Sequence, residues 1–137
     1  MKKFEQIDIS GDVGLKVYGE SIERLFENAA AGMFALMTDP AGVKETEQRE
    51  VSLKFETLES ALVQWLNELL FLFDTYGFTG KTFSIRFEGN MLRAAVSGGI
   101  FVPERNGQKL LIKAATYHQL SINNIGSRWE ATIIFDI

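Results

Sequence analysis

The sequence predicts an α+β fold, a single domain over residues 1–137 with about eight mostly antiparallel strands and two amphipathic helices. Three observations lead there. Two stretches repeat apolar residues at helical spacing, and several others alternate apolar and polar residues with period two. The alternating stretches are joined mainly by turn residues, which favours hairpins over parallel crossovers. With 137 residues, 46% of them apolar and 12% aromatic, the chain can bury roughly two-thirds of its unfolded surface in one core.

Phe4 to Val17 reads as two extended segments broken at Ser10-Gly11, with Val13, Leu15 and Val17 alternating against Gly14, Lys16 and Tyr18. Ser21 offers an N-cap hydroxyl to a first helix whose apolar face is Ile22, Leu25, Phe26, Ala29, Met33, Leu36 and Met37. Pro40 stops it, because proline disfavours helical geometry in the residue before it. A polar loop over 40–48 follows, then a half-buried strand marked by Val51, Leu53 and Phe55. Thr57 caps a second helix with the stripe Leu58, Ala61, Leu62, Trp65, Leu66, Leu69, Leu70 and Phe73. Phe71 and Leu72 lie off that stripe, which predicts cover on two sides, and Gly77 ends the helix.

Phe83, Ile85 and Phe87 lead into Gly89-Asn90, a two-residue turn signal. Pairing Glu88 with Met91 sets Phe87 against Leu92, Ile85 against Ala94 and Phe83 against Val96, so turn chemistry and apolar pattern agree. Gly98-Gly99 is expected to close that strand, with a loop around Pro103–Gly107 after it. The last strands are expected at Leu110–Ala115, Leu120–Asn123 and Trp129–Ile137.

Composition removes several chemistries. The absence of Cys excludes disulfides and thiolate metal centres, and His118 is the only histidine. Placed between two strands, with no Gly-x-Ser-x-Gly elbow in the chain, it reads as a hydrogen-bonded structural residue rather than a triad base. The most apolar run, Leu58 to Phe73, contains Glu59, Gln64, Asn67 and Glu68 and is too short and polar to span a bilayer. Lys2-Lys3 precede no apolar run, so no signal peptide is expected and the cytoplasm is the expected location. Net charge is −4 and pI about 5.0, which disfavours tight binding to a nucleic-acid backbone. Residues 1–80 hold 7 basic and 14 acidic side chains, residues 81–137 hold 7 and 4. The basic segment is either a solvated face or a surface for an acidic partner.

Carboxylates remain. Asp8 and Asp12 bracket the turn Ile9-Ser10-Gly11, where local Asx hydrogen bonding is their ordinary use. Asp136 is penultimate: Trp129, Ala131, Ile133, Phe135 and Ile137 share one strand face, and Asp136 projects to the other beside the α-carboxylate of Ile137. If the first and last strands are neighbours, Asp12 meets this pair. Three carboxylates without thiol or imidazole suit Ca²⁺ or Mg²⁺; otherwise this is a solvated chain end.

Five separated blocks then resemble a known family: Asp8-Ile9-Ser10-Gly11-Asp12-Val13-Gly14-Leu15 with Tyr18-Gly19, Phe34–Asp39, Leu66–Asp74, Lys113–His118 and Phe135-Asp136-Ile137. In order and spacing they resemble archease over essentially the whole chain. Ile9, Ser10 and Gly11 stand where many members carry His, Thr and Ala, and Val102 and Asn106 replace an Asp and a His around the Pro-x-Arg loop. The resemblance implies a non-enzymatic activator of the GTP-dependent RNA ligase that joins 3′-phosphate (or 2′,3′-cyclic-phosphate) and 5′-hydroxyl ends in tRNA splicing and RNA repair. It implies promotion of ligase guanylylation and multiple turnover, and a divalent cation, Ca²⁺ foremost with Mg²⁺ as the other option. The implied ligands are Asp12, Asp136 and Ile137, with Asp8, Asp39 and His118 as supporting candidates and the basic strands of 81–113 as an ancillary docking surface. Two other classes stay open: a small metal-dependent phosphohydrolase using the same carboxylates, and a chaperone-like binding module.

Overall fold

The computed structural model describes residues 2–137, with the side chains of Arg105 and Asn106 outside that description. Eight strands and two long helices follow the order β1 (Phe4–Ile9), β2 (Asp12–Gly19), α1 (Ile22–Met37), β3 (Glu47–Lys54), α2 (Leu58–Tyr76), β4 (Phe78–Glu88), β5 (Met91–Ile100), α3 (Pro103–Asn106), β6 (Ala114–Ala115), β7 (Ser121–Asn124) and β8 (Trp129–Asp136). A 3₁₀ turn, Pro40–Gly42, follows α1, and α3 is a single helical turn where a loop is expected.

All pairings are antiparallel and form two sheets. One runs β1-β2-β8, with β6 and β7 both paired to β8, and the other runs β3-β5-β4. Helix α1 packs against β2 of the first sheet and β4 of the second, while α2 packs on β4, β6 and β3. The core between them is led by Trp65, Phe26, Phe34, Phe78 and Phe135. Phe34 stacks on Phe83 at 6.1 Å, Trp65 meets Phe83 edge-on at 6.3 Å, and the Trp65 indole N–H donates to the Phe26 carbonyl at 3.0 Å. The one buried hydrogen-bonding group of the tryptophan is thereby satisfied inside the apolar interior.

The caps form as the residue types require. Ser21 accepts from the Arg24 N–H, and Thr57 exchanges reciprocal bonds with Ser60 at the start of α2. Gly77 ends α2 with φ 70°, a left-handed conformation that glycine adopts without a Cβ clash. The β4–β5 register matches expectation at Phe83↔Val96, Ile85↔Ala94, Phe87↔Leu92 and Glu88↔Met91.

Four expectations are corrected. Gly98-Gly99 do not close β5, which continues to Ile100; a Cβ on Gly98 would run into the Thr79 carbonyl oxygen, so glycine here permits close backbone approach. Phe71 is exposed, and Leu72, three residues after Leu69 and seven after Trp65, is buried with the main face, so the end of α2 is not covered on a second side there. β3 begins at Glu47, inside the stretch read as loop. Of the expected strand 110–115 only Ala114–Ala115 pairs in a ladder, because Lys109 and Leu110 donate instead to the carbonyls of Met37 and Leu36 at the end of α1.

Candidate metal centre

Antiparallel pairing of β2 with β8 brings the two halves of the candidate site together. The ladder runs from Gly19↔Trp129 to Val13↔Phe135, so Asp12 and Asp136 occupy the next facing register positions. Val13 and Phe135 point into the core, and strand alternation therefore turns Asp12 and Asp136 to the outer face. Ile9 stands opposite Asp12 on β1, and Ala114 stands opposite Asp136 on β6. Across the sheet the row reads Ile9, Asp12, Asp136, Ala114: two carboxylates side by side between apolar flanks. Asp12, Asp136 and Ile137 are all exposed.

Like charges at facing cross-strand positions repel. Among the described residues neither carboxylate has a side-chain hydrogen bond or ion pair to offset this. A hard cation would, and all the available donors are oxygens, so their chemistry fits Ca²⁺ or Mg²⁺. Among the described residues no three His, Asp or Glu side chains gather in one metal-holding group. A cation here would need further ligands beyond these two carboxylates, water among them.

The supporting candidates are placed elsewhere. Asp8 faces Val13 in the β1–β2 ladder, so its side chain starts from the face opposite to Asp12, and it accepts from the Gln6 amide at 3.5 Å. Asp39 caps the 3₁₀ turn by accepting from the Ala41 N–H at 3.3 Å. His118 is exposed in the β6–β7 turn, its backbone N–H donating to the Thr116 hydroxyl at 3.3 Å, and the next residue, Gln119, has φ 52°. None of the three joins Asp12 and Asp136 in a group of three. The turn that launches Asp12 is built on Ser10 at φ 49° and Gly11 at φ 86°. On the same sheet face, farther along, the Tyr18 hydroxyl donates to Glu5 at 2.8 Å. Burial and that bond raise the Tyr18 pKa, while bonds from Lys2 and Tyr18 lower that of Glu5.

Sequence reading missed the residue that secures β6 beside Asp136. Asn67 of α2 accepts from the Ala115 N–H at 2.8 Å and donates to the Ala115 carbonyl at 3.2 Å. Its carboxamide thus stands in for a peptide group along the edge of β6 that faces away from β8. On the β8 side, Lys113 N–H donates to the Asp136 carbonyl at 2.7 Å, and Thr116 N–H and hydroxyl both donate to the Ile134 carbonyl. The available signal is a neutral carboxamide directly beside the buried Leu66 in the second helix.

Comparison with known proteins agrees with this architecture. The family model described as the Archease protein family (MTH1598/TM1083) matches residues 4–137. Protein archease of Methanosarcina mazei is 37% identical over 141 residues, covering 99% of this chain and 97% of that protein. Protein archease of Sulfurisphaera tokodaii is 34% identical with both chains fully covered. The solution structure of Methanobacterium thermoautotrophicum protein 1598 superposes with TM-score 0.79 at 32% identity over the whole of both chains. The crystal structure of a Thermotoga maritima archease, described as a possible chaperone, shares the fold with TM-score 0.68 at 24% identity over 97% of this chain and 96% of its own. No helix among the described residues is long and apolar enough to cross a membrane. By the full-length match to the family and the identity to its members, the chain belongs to the archease protein family.

Proposed function

We propose that this protein is a non-enzymatic, cytoplasmic activator of a GTP-dependent RNA ligase that joins 3′-phosphate and 5′-hydroxyl ends in tRNA splicing and RNA repair. The ligase as partner rests on the resemblance to the archease family, which membership of that family supports. The observation that supports a cation-dependent role is the facing of Asp12 and Asp136 at the open end of the β2–β8 ladder. Asp12, Asp136 and the Ile137 carboxylate would hold a divalent cation, Ca²⁺ or Mg²⁺, which when bound supplies positive charge at an otherwise repulsive edge.

The protein's own contribution is placement. The sheet holds both carboxylates at neighbouring strand ends, and β6, held by Asn67, lies along one side of them. This edge would meet the ligase and favour the conformation that accepts the guanylyl group. Raising a competent population from 1% to half requires about hundredfold tighter binding to that state, roughly 2.7 kcal/mol.

Two measurements test the reading. Ca²⁺ titration followed by thermal unfolding should stabilise the protein, and Asp136→Asn or Asp12→Asn should abolish the ion's effect while folding normally. Single-turnover guanylylation of the ligase should rise with this protein present and fail to rise with Asp136→Ala. Equal guanylylation with Asp136→Ala and the unaltered protein would refute the role of the carboxylate edge. Hydrolysis of nucleotides or cyclic phosphates by the protein alone would instead indicate an enzyme.

A further inference from the structure

Strand β3 is an edge strand of the three-stranded sheet, bonded to β5 on one side only. The bond from Phe55 N–H to the Asn90 carbonyl continues the β3–β5 register. Antiparallel alternation then assigns residues 49, 51 and 53 to the bonds with β5. The backbone groups of Gln48, Glu50, Ser52 and Lys54 therefore point away from the sheet. Among the described residues no backbone or side-chain group bonds to them. The opposite edge, β4, is covered by α1, where Glu27 accepts from the Ile85 N–H at 3.0 Å.

The side chains of those four outward positions are exposed and share the outer face of the sheet. Glu50 and Lys54 lie four residues apart on either side of Ser52, and neither has an ion-pair partner among the described residues. A strand edge with one sign of charge repels its own copy. This one is self-complementary. When two copies of β3 run antiparallel about a two-fold axis at Ser52, Glu50 of each faces Lys54 of the other. Ser52 then faces Ser52, and Gln48 faces Glu56. That register uses the outward backbone groups for about six main-chain hydrogen bonds. On the inner face it sets Val51 against Leu53. Beside Leu53 on that inner side lies a cleft of 530 Å³, walled by Val63, Phe71 and Tyr117 together with the polar Gln64, Asn67 and Glu68. Of the other edge strands, β1 presents Gln6 and Asp8 at its exposed positions and β7 (Ser121–Asn124) carries no charged residue, so neither offers such a pair of opposite charges.

The geometry points to a second copy of this chain as the occupant of the β3 edge, forming an isologous dimer with one continuous six-stranded sheet across the two-fold axis. The dimer lies on the sheet opposite to the Asp12–Asp136 edge and is independent of any cation there.

Sedimentation velocity across a concentration series tests this with charge exchange. The unaltered protein should show a monomer–dimer equilibrium that weakens with salt. Glu50→Lys and Lys54→Glu each convert two symmetric attractions into repulsions and should weaken dimerisation by about tenfold or more. The double variant E50K/K54E restores complementarity and should recover most of that loss. Amide exchange should slow at Glu50, Ser52 and Lys54 as concentration rises. A monomer persisting to about 1 mM would overturn the proposal. So would a dimer indifferent to the single exchanges, or one that the double exchange fails to rescue.

Discussion

Asn67→Ala is the sharpest test of how the fold positions the Asp136 edge. The substitution removes both bonds between the α2 carboxamide and Ala115, whose residue is 4% exposed. An orphaned buried donor or acceptor costs about 1–3 kcal/mol. Asn67 itself is half-buried, so water reaches part of the space vacated, and the lower half of that range applies to each group. The expected loss is about 2.5 kcal/mol for the pair. At about 2.1 cal/mol/K per residue, unfolding of a chain this long has an entropy near 0.29 kcal/mol/K, so Tm should fall by about 9 °C. Urea unfolding should show a lower midpoint with an unchanged slope. Amide exchange should accelerate at Lys113 and Thr116, whose N–H groups bond to β8 next to Asp136 and Ile134. A midpoint shift worth less than about 0.5 kcal/mol, the range of ordinary surface substitutions, would refute the reasoning. Stability of Asn67→Leu equal to that of the unaltered protein, with the branched shape kept but neither bond, would do the same.

Gly98→Ala should destabilise by about 3 kcal/mol or more in urea unfolding, because its Cβ meets the Thr79 carbonyl oxygen and the β4–β5 ladder must spread; a loss below about 1 kcal/mol, the usual cost of an easily accommodated change, would show that the ladder yields freely. Glu45 accepts hydroxyl bonds from Thr82 at 2.6 Å and Ser97 at 3.1 Å, and these hold its pKa below the ordinary 4.5. A depressed folded value means that its contribution is present above 4.5 and fades as pH falls through the folded pKa. Thr82→Val should therefore move the Glu45 carboxyl titration, followed by NMR, upward toward 4.5, and an unmoved midpoint would remove the hydroxyl as the cause.

The elements were largely legible because their signals are local. Ser21 and Thr57 cap helices through their own hydroxyls, Pro40 and Gly77 end them, and Gly89-Asn90 with three alternating phenylalanine and isoleucine positions set the β4–β5 register. Where the reading slipped, distant groups intervened. Gly98 reads locally as a strand terminator, whereas its real setting is the close approach of Thr79; Lys109 and Leu110 are drawn to the end of α1, while Lys113 bonds to β8. For the candidate site, residue type and strand parity already put Asp12 and Asp136 forward and turned Asp136 away from the buried face. Asp8, Asp39 and His118 carried equally plausible chemistry, yet strand parity, a 3₁₀ cap and a remote turn hold them outside a common group with that pair.

What the amino-acid order determined alone was the set of helices, strands and turns, since each rests on contacts within a few residues. Only the folded chain decided that β2 lies against β8, that Asn67 clamps β6, and that β3 is left with an open edge. The first two join residues from 48 to more than 120 positions apart, where no local pattern constrains the pairing and packing of the shared core selects it.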